Sequence, residues 1–190
     1  MKKYYYHKQD DMKFVYFVTP KVCTRSFFQL FKNININTSL ADHYRELDLN
    51  ECIEYFKFGL VRNPWDRLVS VWKNKVIDNH QSGVKDLREY KNFSMFVKKT
   101  CEKNLHKCDR HIMLQSELLP HEHLNWIGRF ENLQEHFNTI CDKIGIPRTQ
   151  LPHENKSNHK HYTEYYDDET REIVAEKYAK DIEYFGYSYQ

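Results

Sequence analysis

The sequence contains no apolar run near the ~18–20 residues that a membrane-spanning helix requires. Its opening residues, Met1-Lys-Lys-Tyr-Tyr-Tyr-His-Lys-Gln-Asp-Asp11, lack the apolar stretch of a secretory signal. Five glycines and five prolines are too few for a collagen-like or flexible-linker segment. An excess of one charge is missing as well. There are 29 Lys and Arg against 27 Asp and Glu, a net +2, which argues against a nucleic-acid coat. Cysteine is sparse and odd in number. The five thiols, Cys23, Cys52, Cys101, Cys108 and Cys141, are scattered and follow no pairing pattern. The expectation is a cytoplasmic protein with reduced thiols and no membrane or nucleic-acid partner. Cys101, His106, Cys108 and His111 fit none of the usual zinc spacings, so no metal is expected.

What is present describes an ordinary globular chain. At 190 residues the expectation is a single domain over 1–190, with its core at about 13–187. Such a chain buries roughly 70% of the surface it exposes when unfolded, so it needs neither disulfides nor a metal. The mean hydropathy is −0.85. Aromatic residues make up 15%, which argues against disorder, where aromatics are depleted.

Periodicity organises the chain. Lys13-Phe-Val-Tyr-Phe-Val-Thr-Pro20 reads as a buried strand ended by proline. Phe27, Leu30 and Phe31 then fall at helical spacing within Ser26 to Asn33. A second strand, Tyr55 to Val61, stops at Arg62-Asn-Pro64, and Pro64 suits the first turn of a helix faced by Leu68, Val69, Trp72 and Val76. A third strand is expected over Leu124 to Phe130. The helix after it, Leu133 to Ile144, should stop at Gly145 and Pro147. Leu151 to Tyr162 is a polar loop, and Asp167 to Tyr184 is the last helix. Strands alternating with helices predict an α/β fold with a mainly parallel central sheet flanked by helices.

Two segments carry candidate chemistry. Pro20-Lys-Val-Cys-Thr-Arg-Ser-Phe27 lies between a strand and a helix, the place where α/β sheets bind ligands and helix amides attract anions. Lys21 and Arg25 add charge, and Thr24 and Ser26 add hydroxyls. Neither a Walker A nor a G-x-G-x-x-G pattern occurs. In Val61-Arg-Asn-Pro-Trp-Asp-Arg-Leu-Val-Ser70, Arg62 and Ser70 offer a guanidinium fork and a hydroxyl for a phosphate. A structural Arg62 paired with Asp66 is the competing explanation.

Together these segments resemble the sulfotransferases, in particular carbohydrate sulfotransferases of the Golgi type and their bacterial relatives. Pro20 to Phe27 resembles their 5′-phosphosulfate loop, and Phe58 to Trp72 resembles their 3′-phosphate motif. The likeness continues through Trp126 to Leu133, Leu151 to Ser157, Tyr165 to Arg171 and Asp181 to Tyr187. It implies a P-loop-like fold and 3′-phosphoadenosine 5′-phosphosulfate (PAPS) as donor, with a hydroxyl, taken to be on a carbohydrate, as acceptor. By the resemblance, Lys21 touches the bridging or sulfuryl oxygens, and Val22, Cys23, Thr24, Arg25, Ser26 and Phe27 line the 5′-phosphate. Arg62 and Ser70 bind the 3′-phosphate. Lys156 and Ser157 fall where a mobile loop of related enzymes closes over the donor. His43, in a stretch where relatives carry an essential His or Glu, is the expected general base. His111 is the second candidate, and Arg110, His111 and Gln115 are expected at the acceptor. Many family loops carry glycine at one of the positions where this chain has Cys23 and Thr24, which predicts either a tighter wrap or an unusual backbone at Cys23. A non-catalytic nucleotide-binding domain of the same fold and a small nucleotide kinase are the alternatives.

Overall fold

In the computed structural model, residues 3–34, 36, 44–80, 82–151 and 160–190 are described. In chain order the strands are β1 (Lys3–Gln9), β2 (Phe14–Phe17), β3 (Tyr44–Glu46), β4 (Phe56–Val61) and β5 (Trp126–Arg129). The helices are α1 (Thr24–Asn33), α2 (Pro64–Trp72), α3 (Phe93–Cys101), α4 (Gln115–Leu118), α5 (Leu133–Ile144), α6 (Asp168–Lys177) and α7 (Ala179–Phe185). They group into two compact units, Met1–Val61 with Leu118–Lys156, and Arg62–Glu117 with Ser157–Gln190. No helix among the described residues is long and apolar enough to cross a membrane.

The first unit is built on a five-stranded sheet of order β3-β1-β2-β4-β5. Every residue of β2 is buried, as its unbroken apolar run requires of an inner strand. Its aromatic rings stack along the sheet face: Tyr16 lies 5.1 Å from Phe58 and 5.3 Å from Phe27 of α1. Phe27, Leu30 and Phe31 of α1 and Phe137, Ile140 and Ile144 of α5 complete this core. The α5 helix ends as its sequence predicts, with Gly145 in the left-handed region at φ 73°.

The sheet departs from the expected one. Pairs β2–β4 and β4–β5 are parallel, but β1–β2 and β1–β3 are antiparallel, so the sheet is mixed rather than mainly parallel. The cause lies in Lys3–Gln9, which the sequence does not mark as a strand because its three consecutive tyrosines are flanked by Lys3, His7, Lys8 and Gln9 without a period-2 alternation. Tertiary packing nevertheless buries Tyr4, Tyr6 and His7, with the His7 ring about 6 Å from those of Phe14, Phe28 and Phe31.

The second unit is helical around a separate core. Trp65, Leu68, Val69 and Trp72 of α2 pack with Phe93, Phe96 and Val97 of α3 and with Val174 and Tyr178. The Arg-Asn-Pro sequence accounts for the start of α2: the Asn63 side chain accepts the Trp65 amide at 3.0 Å, and Pro64 occupies the first turn, where its missing N–H costs nothing. The helix runs on into a π-helical turn, Lys73–Ile77. The single helix expected over Asp167 to Tyr184 is two. Asp167 caps α6 through the Thr170 amide and hydroxyl, and the chain breaks at Tyr178 (φ −102°, ψ 15°) before α7. Tyr178 and Asp181 there serve distant partners, which local propensity cannot report. Helix α3, absent from the sequence reading, starts where Asn92 accepts the Met95 amide.

Candidate active site

In the first unit the Pro20–Phe27 turn links β2 to α1. Lys21 (φ 71°) and Cys23 (φ 50°) both adopt the left-handed region, one residue apart. Neither is glycine, so each carries strain of roughly 1–2 kcal/mol. Of the two outcomes expected at Cys23, the unusual backbone is thus observed, and Cys23 is also the residue that caps α1. Left-handed residues in such a turn align successive amides into an anion-binding concavity. The first-turn amides of α1 point the same way as its positive dipole end, and no acidic residue in that turn offsets it.

The floor of the turn is polar and sealed. The Tyr16 hydroxyl and Thr19 Oγ1 are buried and have no hydrogen-bond partner among the described residues. Thr24 lies beside Tyr16, but its hydroxyl donates to the Thr19 carbonyl at 3.1 Å. Burial pushes the Tyr16 hydroxyl pKa up, and Thr24 only partly opposes this, so the phenol stays protonated. Val22 and Phe27 contribute their side chains to the core, and the Phe27 amide is engaged by the Cys23 carbonyl at 3.2 Å. In this turn the side chains of Lys21, Cys23, Thr24 and Arg25 reach the surface, whereas Ser26 is buried.

In the second unit, Arg62 and Asp66 form a two-pronged ion pair, Nε–Oδ2 2.8 Å and Nη2–Oδ1 2.9 Å. This is the pairing named above as the structural explanation for Arg62. One turn further along the same helix face, the Ser70 hydroxyl has no hydrogen-bond partner among the described residues. Gln115 is fully buried. Its Oε1 accepts the Arg62 amide and its Nε2 donates to the Arg62 carbonyl, both at 2.9 Å. Gln115 thus clamps the Arg62 backbone and presents no amide to solvent.

The 109–116 segment holds the most ordered polar arrangement. Asp109 Oδ1 receives the His111 amide (2.9 Å) and lies 2.7 Å from His111 Nδ1, while Oδ2 receives the Val84 amide at 2.9 Å. Burial alone would raise the Asp109 pKa, but these hydrogen bonds outweigh it and hold the carboxyl well below the usual range. Burial pushes His111 below its ordinary 6.5. Asp109 opposes that shift, and the Lys75 and Arg110 cations reinforce it.

Several residues that the sequence reading passed over secure this segment. Arg67, 1% exposed, donates to the carbonyls of Met113 (2.7 Å) and Arg110 (2.9 Å). Tyr178 donates to the Ile112 carbonyl at 2.5 Å. Asp181 accepts the amides of Gln115 (2.6 Å) and Ser116 (2.9 Å), capping α4. The one signal in the sequence is that Arg67 interrupts an apolar helix face, where a charge must find partners. His43, Lys156 and Ser157 lie outside the described residues.

A search of curated proteins and of solved structures returns no significant match. The family model described as "Sulfotransferase family" matches residues 5–188, nearly the whole chain. It spans the strained turn, the Arg62 motif and the Asp109–His111 pair together, and the chain therefore belongs to the sulfotransferase family.

Proposed function

We propose that this sulfotransferase uses PAPS as donor and a hydroxyl, of the carbohydrate class, as acceptor. The observation that carries the donor assignment is the Pro20–Phe27 turn. Its two left-handed residues, the undiluted helix terminus and the two buried hydroxyls without partners suit a P-loop-like cradle for a 5′-phosphosulfate. In this reading Lys21 neutralises the charge that develops on the leaving phosphate, and Thr24, Arg25 and the first-turn amides, that of the buried Ser26 among them, hold its oxygens. Arg62 and Ser70 bind the 3′-phosphate, with Asp66 orienting the guanidinium. Lys156 and Ser157 are assigned to the cover over the donor on the resemblance alone.

Sulfuryl transfer resembles phosphoryl transfer, with catalysis coming mainly from positioning and charge stabilisation. The acceptor oxygen bonds to sulfur as the bond from sulfur to the 5′-phosphate oxygen breaks. Adenosine 3′,5′-bisphosphate (PAP) leaves with the electron pair. A base takes the hydroxyl proton. The resemblance assigns that role to His43. A specific observation favours His111: a carboxylate orients its ring through Nδ1, which leaves Nε2 as the nitrogen that can take a proton. Arg110, beside it, is the proposed acceptor contact.

Calorimetric titration with PAP tests the donor site. Wild type should bind, and Lys21→Ala and Arg62→Ala should each bind at least about tenfold more weakly, the loss of roughly one charge-assisted contact. No binding by the wild type would remove the donor assignment. Binding without turnover on any hydroxyl would leave a non-catalytic nucleotide-binding domain, and turnover with ATP and Mg²⁺ would point to a kinase.

A further inference from the structure

We propose that Asp109 is a positioning residue: it fixes His111 in the tautomer whose Nε2 receives the proton of the acceptor hydroxyl. The inference rests on the sulfotransfer reading above and on His111 as its base.

An ionised carboxylate only accepts hydrogen bonds. Asp109 Oδ1 faces His111 Nδ1 at 2.7 Å, so in the neutral ring the proton sits on Nδ1 and Nε2 carries the lone pair. Asp109 is itself held by two backbone amides, those of His111 and Val84, which fix its plane. The ring is further confined by Gly83, which lies against its Nδ1–Cε1 edge. A Cβ built there would overlap the imidazole, and Gly83 also has φ +75°, so the position admits only glycine without rearrangement. Beneath the ring, Arg67 holds the carbonyls on both sides of His111. Carboxylate, glycine and buried guanidinium thus restrain one imidazole whose far nitrogen is left open to a partner.

The charged groups around the ring come from three elements. Asp109 and Arg110 belong to its own segment. Lys75 comes from the π-helical turn and is hydrogen-bonded to Ser82 Oγ at 2.6 Å, with His80 Nδ1 at 3.4 Å. Arg88 donates to the carbonyls of His80 and Gly83. Burial, with a smaller push from the Lys75 and Arg110 cations, favours the neutral imidazole that a base requires. Asp109 counters them, which sustains basicity and stabilises the imidazolium formed when the proton arrives.

Two measurements test the assignment. Long-range ¹⁵N–¹H spectra of the wild-type protein at pH 8 should show His111 with a protonated Nδ1 and a bare Nε2, and the opposite tautomer would overturn the proposal without any mutant. In transfer assays with PAPS and a panel of p-nitrophenyl glycosides, Asp109→Asn should lower kcat about tenfold or more while PAP affinity stays unchanged. The acid limb of its kcat–pH profile should also move to lower pH, because the group that raises the His111 pKa is gone. A fall in kcat with an unmoved limb assigns Asp109 a purely structural role and overturns the proposal. If Asp109→Asn does not fold, the wild-type spectra decide alone. No transfer by the wild type across the panel would overturn the sulfotransfer reading and this inference with it. Transfer that is intact in Asp109→Asn would overturn this inference only.

Discussion

The Pro20–Phe27 turn and the 109–116 segment both hold polar groups in fixed hydrogen-bonded or strained backbone, and they are built by opposite means. The turn is made of backbone. Its left-handed residues Lys21 and Cys23 and the α1 terminus create the cradle, and its neighbours in sequence supply nearly everything it needs. The 109–116 segment is made of side chains brought from far away: Arg67, Tyr178 and Asp181 hold its backbone, and Val84 helps to hold Asp109. A backbone cradle suits a ligand whose phosphate is always the same shape. A side-chain network suits the proposed role of His111, the placement of one proton-accepting nitrogen, where a small displacement is costly.

That contrast can be broken from the side-chain end with the largest effect. Arg67→Met keeps the bulk of the stem but leaves the Arg110 and Met113 carbonyls without their donor. We expect a loss of about 3 kcal/mol from two charge-assisted hydrogen bonds, read as a lower urea midpoint. A variant as stable as wild type would show that the segment does not depend on this arginine.

The backbone end should respond more mildly and in the other direction. Cys23→Gly relieves a left-handed strain at the price of a more flexible unfolded chain. The expected net is a gain of roughly 0.5–1 kcal/mol in thermal unfolding, with PAP affinity retained. A destabilised Cys23→Gly would mean that the cysteine side chain, rather than the backbone geometry, supports the turn.

The smallest effect separates the two regions by pH. The folded-state pKa of His111 is lowered below its unfolded value near 6.5, so the unfolded chain binds the proton first as pH falls. Its contribution to stability is therefore present above about pH 6.5 and lost on acidification. The drop in urea midpoint between pH 7.5 and pH 5.5 should be smaller in His111→Gln than in wild type. Equal drops in the two proteins would contradict the lowered pKa.

How far each region could be read in advance follows the same division. The turn was legible as a strand-to-helix junction because a proline-ended strand runs into a helix over eight residues; the left-handed backbone at Cys23 was one of two outcomes that the resemblance, through its missing glycine, left open. Arg62 was legible as a polar residue at a strand end, and Asp66 as its partner, since i,i+4 neighbours are set by helix geometry. Gln115 was not. It was expected at the acceptor, and it instead hydrogen-bonds a peptide 53 residues away. Strand β1 escaped notice because a tyrosine triplet followed by His7, Lys8 and Gln9 shows no strand periodicity, and only packing against Phe28 and Phe31 buries His7.

The sequence by itself determined the alternation of strands and helices, the caps at Asn63 and Gly145, the strand-to-helix turn at Pro20–Phe27 and the family motifs. These depend on residues within a helical turn or two of one another, where sterics and local hydrogen bonds act without the rest of the chain. Only the tertiary structure decided the mixed sheet, the break at Tyr178, the clamp of Gln115 on Arg62 and the Asp109–His111 pair under Gly83. Each depends on a group supplied from elsewhere in the chain, as Val84 and Gly83 are for the Asp109–His111 pair, and which group arrives is settled by packing.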